Sequence, residues 1–100
     1  MLLSHDIEVI KSDYGFGNKV LLSLPKSQVN WRKELIIAYL YRNDVTSVDV
    51  MGVDRYLSDL DCDICGFNGL ADRYDIPIRC QDSTNYDITI CSHCMAALMA

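Results

Sequence analysis

The stretches Asp61-Cys62-Asp63-Ile64-Cys65-Gly66 and Ile90-Cys91-Ser92-His93-Cys94 decide how this 100-residue chain folds. Each holds two cysteines at a spacing that lets a tight turn point both sulfurs at one metal ion. Two such pairs complete a tetrahedral shell of four thiolates, the geometry that structural Zn2+ prefers. The 25 residues between the pairs slightly exceed the usual spacing of about 15–20, as a longer intervening hairpin would explain. We therefore predict one structural Zn2+ bound by Cys62, Cys65, Cys91 and Cys94.

Disulfides or unrelated buried thiols are the alternatives, and the rest of the chain favours a metal ion. Residues 1–6 lack the basic start and long apolar stretch of a secretory signal. The longest apolar run, Leu35–Tyr41, is far too short to span a bilayer. We therefore expect a cytoplasmic protein with no membrane segment, in a reducing compartment that keeps thiols available for a metal ion.

Two further residues could contribute to metal chemistry. Cys80 is expected to be a small buried residue in a strand, with a spare ligand or a redox thiol as the alternative. His93 lies inside the last cysteine pair and is expected on the surface of the last helix. The alternative for His93 is that it replaces Cys91 or Cys94 as a ligand.

Composition and charge limit the function. Half of the residues are hydrophobic and 23% are charged, so the chain can bury a core and is not disordered. The net charge is −5, and residues 61–100 hold six aspartates against only Arg73 and Arg79. Because nucleic-acid binders concentrate Lys and Arg where phosphates lie, a protein partner of basic character is favoured over DNA or RNA.

The N-terminal part, residues 1–60, is predicted to be a small α+β unit. Alternating apolar residues on either side of a glycine-containing turn indicate a β-hairpin over residues 5–24. A helix is predicted from Ser27, as its N-cap, to Arg42. A strand is predicted over Val45–Met51, followed by one or two helical turns within Val53–Leu60.

The C-terminal part, residues 61–100, is predicted to be a zinc module that packs with the first part into one compact domain. The first cysteine pair forms a knuckle, and Asp75–Cys80 is extended, with Pro77 confining it to a sheet edge. A second strand, Tyr86–Ile90, leads into the second cysteine pair and a terminal helix. Knuckle, hairpin and helix in this order form a treble clef, so the predicted fold class is α+β.

These motifs resemble the zinc-bound subset of HNH (His-Me finger) endonucleases. The resemblance covers residues 61–97 and lies in Cys-Asp-Ile-Cys-Gly-Phe, the Ile-Pro strand and Tyr-Asp-Ile-Thr-Ile-Cys-Ser-His-Cys. It implies an enzyme that cuts DNA with a metal-activated water. In that family a histidine just before the Ile-Pro strand is the general base, and a histidine directly after the last cysteine helps to hold the catalytic cation.

Neither of these histidines is present. Tyr74 and Asp75 occupy the region of the general base, Met95 follows the last cysteine, and Asn85 lies one position from the family's central asparagine. A general base must titrate near neutrality, whereas tyrosine has an ordinary pKa of about 10. We therefore expect a degenerate HNH frame with no catalytic residues, and His93 is expected to point away from any cleft.

Three classes of function remain. The leading one is a non-enzymatic, zinc-stabilised protein-interaction module: a small regulator, adaptor or inhibitor, whose build would also suit a virus-encoded modulator of a host enzyme. The second is a nucleic-acid-binding zinc protein using Arg32, Lys33 and Arg42, although a solvated helix face explains these residues better. The third is a divergent HNH-type metal-dependent nuclease with an unrecognised base.

The predicted partner surface combines the acidic zinc module with the last helix. Met95, Leu98 and Met99 lie at helical spacing, and methionine is common on adaptable binding surfaces. Packing of this stripe on the hairpin is an equal alternative. Edge strands within residues 5–24 leave a homodimer as a further alternative. The candidate partner-binding residues are Asp72, Asp75, Asp82, Asp87, Met95, Leu98 and Met99.

Overall fold

A computed structural model describes residues 2–4, 7–10 and 24–99 of the chain as an α+β arrangement with two helices and six strands. The elements in chain order are β1 (Leu2–Ser4), β2 (Ile7–Ile10), α1 (Lys26–Arg42), β3 (Val45–Asp49), a 3-10 turn (Val50–Gly52), β4 (Asp54–Ser58), β5 (Ala71–Cys80), β6 (Asn85–Cys91) and α2 (Ser92–Met99). The first strand of the predicted hairpin is confirmed as β2, while its turn and most of its second strand lie outside the described residues.

The strands form one sheet in which β5 is the central strand. β6 pairs antiparallel with β5 from Arg73 to Arg79. On the other side of β5, β4 pairs with its first half and β3 with its second half, both antiparallel. β2 extends the sheet in parallel beyond β3, and β1 pairs antiparallel with β2. A single sheet therefore includes strands from both the N-terminal and the C-terminal parts of the chain.

The prediction that Pro77 confines its strand to a sheet edge is wrong, because β5 has neighbours on both sides. On one side the pairs with β4 end at Asp75 and those with β3 begin at Ile78. Pro77 lies between these two points, against the 3-10 turn, where a Cβ added to Gly52 would be 3.1 Å from the Pro77 Cγ. Proline has no N–H to donate to a neighbouring strand, and Pro77 thus lies at the point where β5 changes its partner from β4 to β3.

Two local boundaries also differ from the prediction. The helical turns predicted within Val53–Leu60 are wrong, because β4 pairs in register with β5 and is held extended by that pairing. The strand predicted to end at Met51 ends at Asp49, whose carboxylate accepts the Met51 N–H at 3.0 Å and closes the 3-10 turn.

Helix α1 begins two residues earlier than predicted. Pro25, rather than Ser27, is the N-cap residue, and no side chain caps the helix. The Pro25 carbonyl accepts hydrogen bonds from the N–H groups of Gln28 at 2.9 Å and Val29 at 3.1 Å. The fixed φ of proline, here −57°, prepares the chain for the first turn.

Both helices contribute to a core against one face of the sheet. Ile36 and Leu40 of α1 are buried together with Ile76 of β5 and Ile90 of β6. Along β5 the even-numbered residues from Tyr74 to Cys80 are all buried, which is the alternation of a strand with one face against a core. Neither helix of the described chain has the length and apolar character needed to cross a membrane.

The apolar stripe of α2 belongs to this core. Met95 is 0% exposed and Leu98 2% exposed, and the partly buried Met99 packs against the same cluster. Met95 and Leu98 are therefore not exposed to a partner and pack as the alternative expects, while Met99 is partly exposed. Burial of these side chains makes α2 a structural element, with each large apolar residue contributing about 1.5–3 kcal/mol.

Candidate metal centre

The four paired cysteines lie together in space, and three of them are part of the buried core. Cys62 and Cys65 come from the turn that follows β4, Cys91 ends β6, and Cys94 lies in the first turn of α2. Their sulfur atoms all lie within 4.8 Å of one another, and those of Cys65 and Cys91 are 3.7 Å apart. Tetrahedral Zn2+ with bonds of about 2.3 Å would place its sulfur ligands about 3.8 Å apart. Four clustered sulfurs of this kind can hold one metal ion.

Backbone hydrogen bonds hold the first cysteine pair in place. The Cys62 N–H donates to the Phe67 carbonyl at 2.9 Å, and the Gly66 N–H donates to the Cys62 carbonyl at 2.9 Å. Gly66 has a φ of +80°, a backbone conformation that residues other than glycine rarely adopt. Asp63 and Thr89 exchange two bonds at 2.8 Å, one of them to the Asp63 carboxylate, and this fastens the turn beside the end of β6.

Backbone N–H groups also point at the sulfurs. Cys62 Sγ accepts from the N–H groups of Cys91 at 3.3 Å and Cys65 at 3.5 Å, and Cys91 Sγ accepts from the Cys94 N–H at 3.5 Å. Such donors stabilise negative charge on sulfur and orient metal ligands. The chain therefore supplies both the donor atoms and the groups that support them as thiolates.

A cationic side chain also contacts the cysteine sulfurs. Arg32 of α1 places Nη1 3.3 Å from the Cys94 Sγ and 3.9 Å from the Cys91 Sγ. Burial opposes the charge, but hydrogen bonds to Cys94 and Cys65 outweigh burial and raise the pKa of Arg32. Its Nε is buried and has no hydrogen-bond partner among the described residues.

The solvated helix face expected for Arg32, Lys33 and Arg42 is wrong for Arg32, whose guanidinium contacts the cysteine sulfurs. Arg32 and Arg42 lie ten residues apart on α1, and Arg42 instead stacks over the Tyr39 ring at 5.6 Å. No feature of the sequence singles out Arg32, because the helical pattern does not show that the cysteine cluster packs beside it.

Proximity of the thiols changes their acidity in the metal-free chain. Hydrogen bonds from Cys91 and Cys94 lower the pKa of Cys62 far below its ordinary value. The hydrogen bond to Cys62 raises the pKa of Cys91 to about 11 and raises that of Cys94 further. Because thiols must lose their protons to bind a metal ion, the affinity of the cluster for a metal falls as the pH falls.

Arg73 is a second residue whose role near the cysteines the sequence pattern does not indicate. It is 0% exposed, although charged residues are rarely buried without partners. Its guanidinium donates to the carbonyls of Gly69 at 2.7 Å, Leu60 at 2.8 Å and Phe67 at 3.3 Å, and lies over the Phe67 ring at 5.0 Å. Arg73 thus fastens the segment of residues 60–72, which includes the first cysteine pair.

Cys80 and His93 lie outside the cluster of four sulfurs. Cys80 is buried at the end of β5, which confirms the prediction of a small buried residue in a strand. His93 is exposed on α2, as expected of a surface residue on the last helix.

The candidate acidic residues are spread along the hairpin and do not form one cluster. Asp72 is near the start of β5 and Asp82 follows its end, and ten residues of strand span about 33 Å. Asp87 lies on β6 opposite Pro77. These three aspartates are exposed.

Asp75 is engaged within the sheet. Its Oδ1 accepts hydrogen bonds from the Tyr56 and Thr89 hydroxyls, both at 2.7 Å, so it links three neighbouring strands. The bond to Asp75 is the main cause of the raised pKa of Tyr56. This carboxylate has a structural role between β4, β5 and β6.

Two positions at which the HNH resemblance requires histidines are in the core. Tyr74 is 5% exposed and Met95 is 0% exposed. No protein-family model, curated protein or solved structure matches the chain, so the resemblance to HNH endonucleases is supported by the sequence motifs alone.

Proposed function

We propose that this chain is a non-enzymatic protein-interaction module, a small regulator, adaptor or inhibitor, built on a treble clef around one structural Zn2+. The cysteine-bearing turn, the β5–β6 hairpin and α2 are the knuckle, hairpin and helix of that arrangement. Four sulfurs fill a tetrahedral shell, whereas a catalytic zinc keeps a position open for water or substrate. The metal ion therefore stabilises the fold and leaves binding to the surface around it.

The zinc module in this proposal is a degenerate relative of the HNH endonucleases that keeps the cysteines and lacks the catalytic groups. Tyr74 and Met95 are buried where the resemblance requires histidines, and Oδ1 of the neighbouring Asp75 accepts hydrogen bonds from two hydroxyl groups within the sheet. The two positions that require histidines therefore supply no general base for water.

The observation that carries the interaction proposal is a set of exposed apolar side chains on residues 57–70, the stretch that contains the first cysteine pair. We call this set the apolar rim, and it consists of Leu57, Leu60, Phe67 and Leu70, which are 66%, 52%, 47% and 71% exposed. Leu57 of β4 pairs with Asp72 at the start of β5. The Arg73 guanidinium donates hydrogen bonds to the backbone carbonyls of Leu60 and Gly69 and so holds the segment between them. Large apolar side chains grouped on a surface mark an interaction site.

The charge around the apolar rim indicates the kind of partner. Residues 56–72 contain four aspartates and no lysine or arginine, and all four aspartates are exposed. A tetrathiolate zinc would add two negative charges close by. The partner that fits is a protein segment with apolar side chains flanked by Lys or Arg, since nucleic acid would be repelled by these carboxylates.

A peptide library displayed on phage tests this proposal. The zinc-loaded protein is expected to enrich peptides that combine apolar residues with Lys or Arg, and Leu57→Ser with Leu70→Ser should lower their binding by 10-fold or more. Met51→Ser is the matched control, because Met51 is 63% exposed but lies outside the apolar rim. Sedimentation of the protein alone shows whether a second copy covers the rim instead.

Three outcomes would contradict the proposal. These are enrichment of acidic peptides, binding that the rim substitutions leave unchanged, and micromolar binding to an arbitrary DNA duplex with a steep dependence on salt. A dimer that the rim substitutions dissociate would replace the foreign partner with a second copy of the chain.

A further inference from the structure

We propose that Arg32 is the positioning residue of the metal centre: it fixes the Cys91 and Cys94 thiolates from α1 and makes the packing of that helix depend on the bound metal. This inference rests on the zinc site of the proposed function. It concerns a residue that binds no metal itself and acts through the sulfur ligands.

The first step is electrostatic. A zinc ion with four thiolates carries two net negative charges in a partly buried setting. Arg32 Nη1 lies within hydrogen-bonding distance of the Cys94 sulfur and approaches that of Cys91, so its positive charge meets the centre directly. Side chains that donate charge-assisted hydrogen bonds to metal ligands support metal binding, and their removal weakens metal affinity by about 10- to 100-fold.

The second step is the unpartnered nitrogen of the same side chain. Arg32 Nε is buried without a hydrogen-bond acceptor among the described residues, and such a group costs free energy. A side chain held in this position needs a compensating interaction, and the bonds from Nη1 to the sulfurs supply it. The orientation of Arg32 is thus set by the cysteine cluster.

The third step concerns helix α1. Ile36 and Leu40 follow Arg32 at intervals of four residues, so all three lie on the same face of the helix. The two apolar residues anchor the later turns of α1 in the core, and in the early turns Arg32 bonds to the cysteine cluster while Val29 packs against the core. Loss of the metal would leave the apolar contacts and weaken the polar one, because the negative charge that Arg32 meets on the sulfurs would fall.

The adjacent Trp31 provides a reporter. It is the only tryptophan of the chain, and the Arg32 guanidinium lies 5.1 Å from the centre of its ring. Removal of zinc should therefore change the tryptophan fluorescence if the metal fixes Arg32, because the cation near the indole then moves.

The experiment compares R32Q and R32K with the wild-type protein and with R42Q, a control that removes an arginine from the same helix. Zinc release to a chromophoric chelator and tryptophan fluorescence are followed together. R32Q is expected to release zinc about 10-fold faster, with R32K in between because it keeps the charge and loses the planar fork. R42Q should behave as wild type. Chelation should change the fluorescence of the wild type and R42Q more than that of R32Q.

Substitution of Co2+ separates positioning from general stability. A changed sulfur-to-cobalt charge-transfer band in R32Q supports the proposal, since a purely structural role would leave that band in place. The proposal would be overturned if R32Q and R32K had the zinc-release rate and the cobalt charge-transfer band of the wild type. If R32Q does not fold, wild-type values of both quantities in R32K alone would overturn it. Wild-type protein that holds no zinc would overturn the zinc site itself. If the wild type holds one zinc and R32Q retains it equally well, only the role of Arg32 is overturned.

Discussion

At the scale of single residues, two arginines stabilise the segments that carry the four cysteines in different ways. Arg73 is fully buried and donates to backbone carbonyls, so peptide dipoles satisfy its charge. Arg32 instead meets the cysteine sulfurs. Neither environment could be predicted, because the sequence around Arg73 does not distinguish it from Arg79, which is exposed on the same strand. The cysteine cluster was predictable because two cysteines three positions apart can bind one metal ion through a tight turn.

Replacement of Arg73 should destabilise the fold strongly. Arg73→Met leaves the carbonyls of Leu60 and Gly69 without their donor, and each unsatisfied buried group costs about 1–3 kcal/mol. We expect the free energy of unfolding of the zinc-loaded protein to fall by about 3 kcal/mol in urea titration. Arg79→Met is the control and should change it by less than about 0.5 kcal/mol. Equal effects of the two substitutions would show that the buried bonds of Arg73 are not important.

At the scale of helices and strands, local patterns predicted some elements and long-range pairing decided others. β6 and α2 follow from the alternation before Cys91 and the apolar run after Cys94. β4 was not predictable, because its extended form depends on pairing with β5. Pro77 misled for a related reason: the rule that confines proline to edges does not foresee a strand whose partner changes from β4 to β3 at that residue.

The burial of β5 and α2 side chains leads to a prediction about catalysis. With Tyr74 and Met95 in the core, the purified protein should not nick supercoiled plasmid DNA in the presence of Mg2+ or Mn2+. The measurement is agarose electrophoresis after prolonged incubation, with an active metal-dependent nuclease as the positive control. Cleavage that disappears in Asp75→Ala or His93→Ala protein would contradict the non-enzymatic proposal and favour the nuclease alternative.

At the scale of the whole molecule, the cysteine cluster brings together segments that are distant in the chain. The turn after β4, the end of β6 and the start of α2 provide the sulfurs, and α1 provides Arg32. The core formed by the two helices and the sheet contains Cys62, Cys91 and Cys94 together with many apolar residues that do not bind the metal. Metal binding is worth on the order of 10 kcal/mol in small zinc modules. We therefore expect metal loss to loosen the segments that carry the four cysteines and to make the apolar rim segment prone to aggregation.

The central claim is that Cys62, Cys65, Cys91 and Cys94 together hold one structural zinc ion. Its most direct test is native mass spectrometry combined with elemental analysis of protein purified without chelator. We predict one zinc per chain in the wild type, loss of zinc in Cys62→Ser, and full retention in Cys80→Ser, since Cys80 is a buried cysteine outside the cluster. Wild-type protein that is folded and free of zinc, or a Cys80→Ser variant that loses zinc as Cys62→Ser does, would contradict the claim.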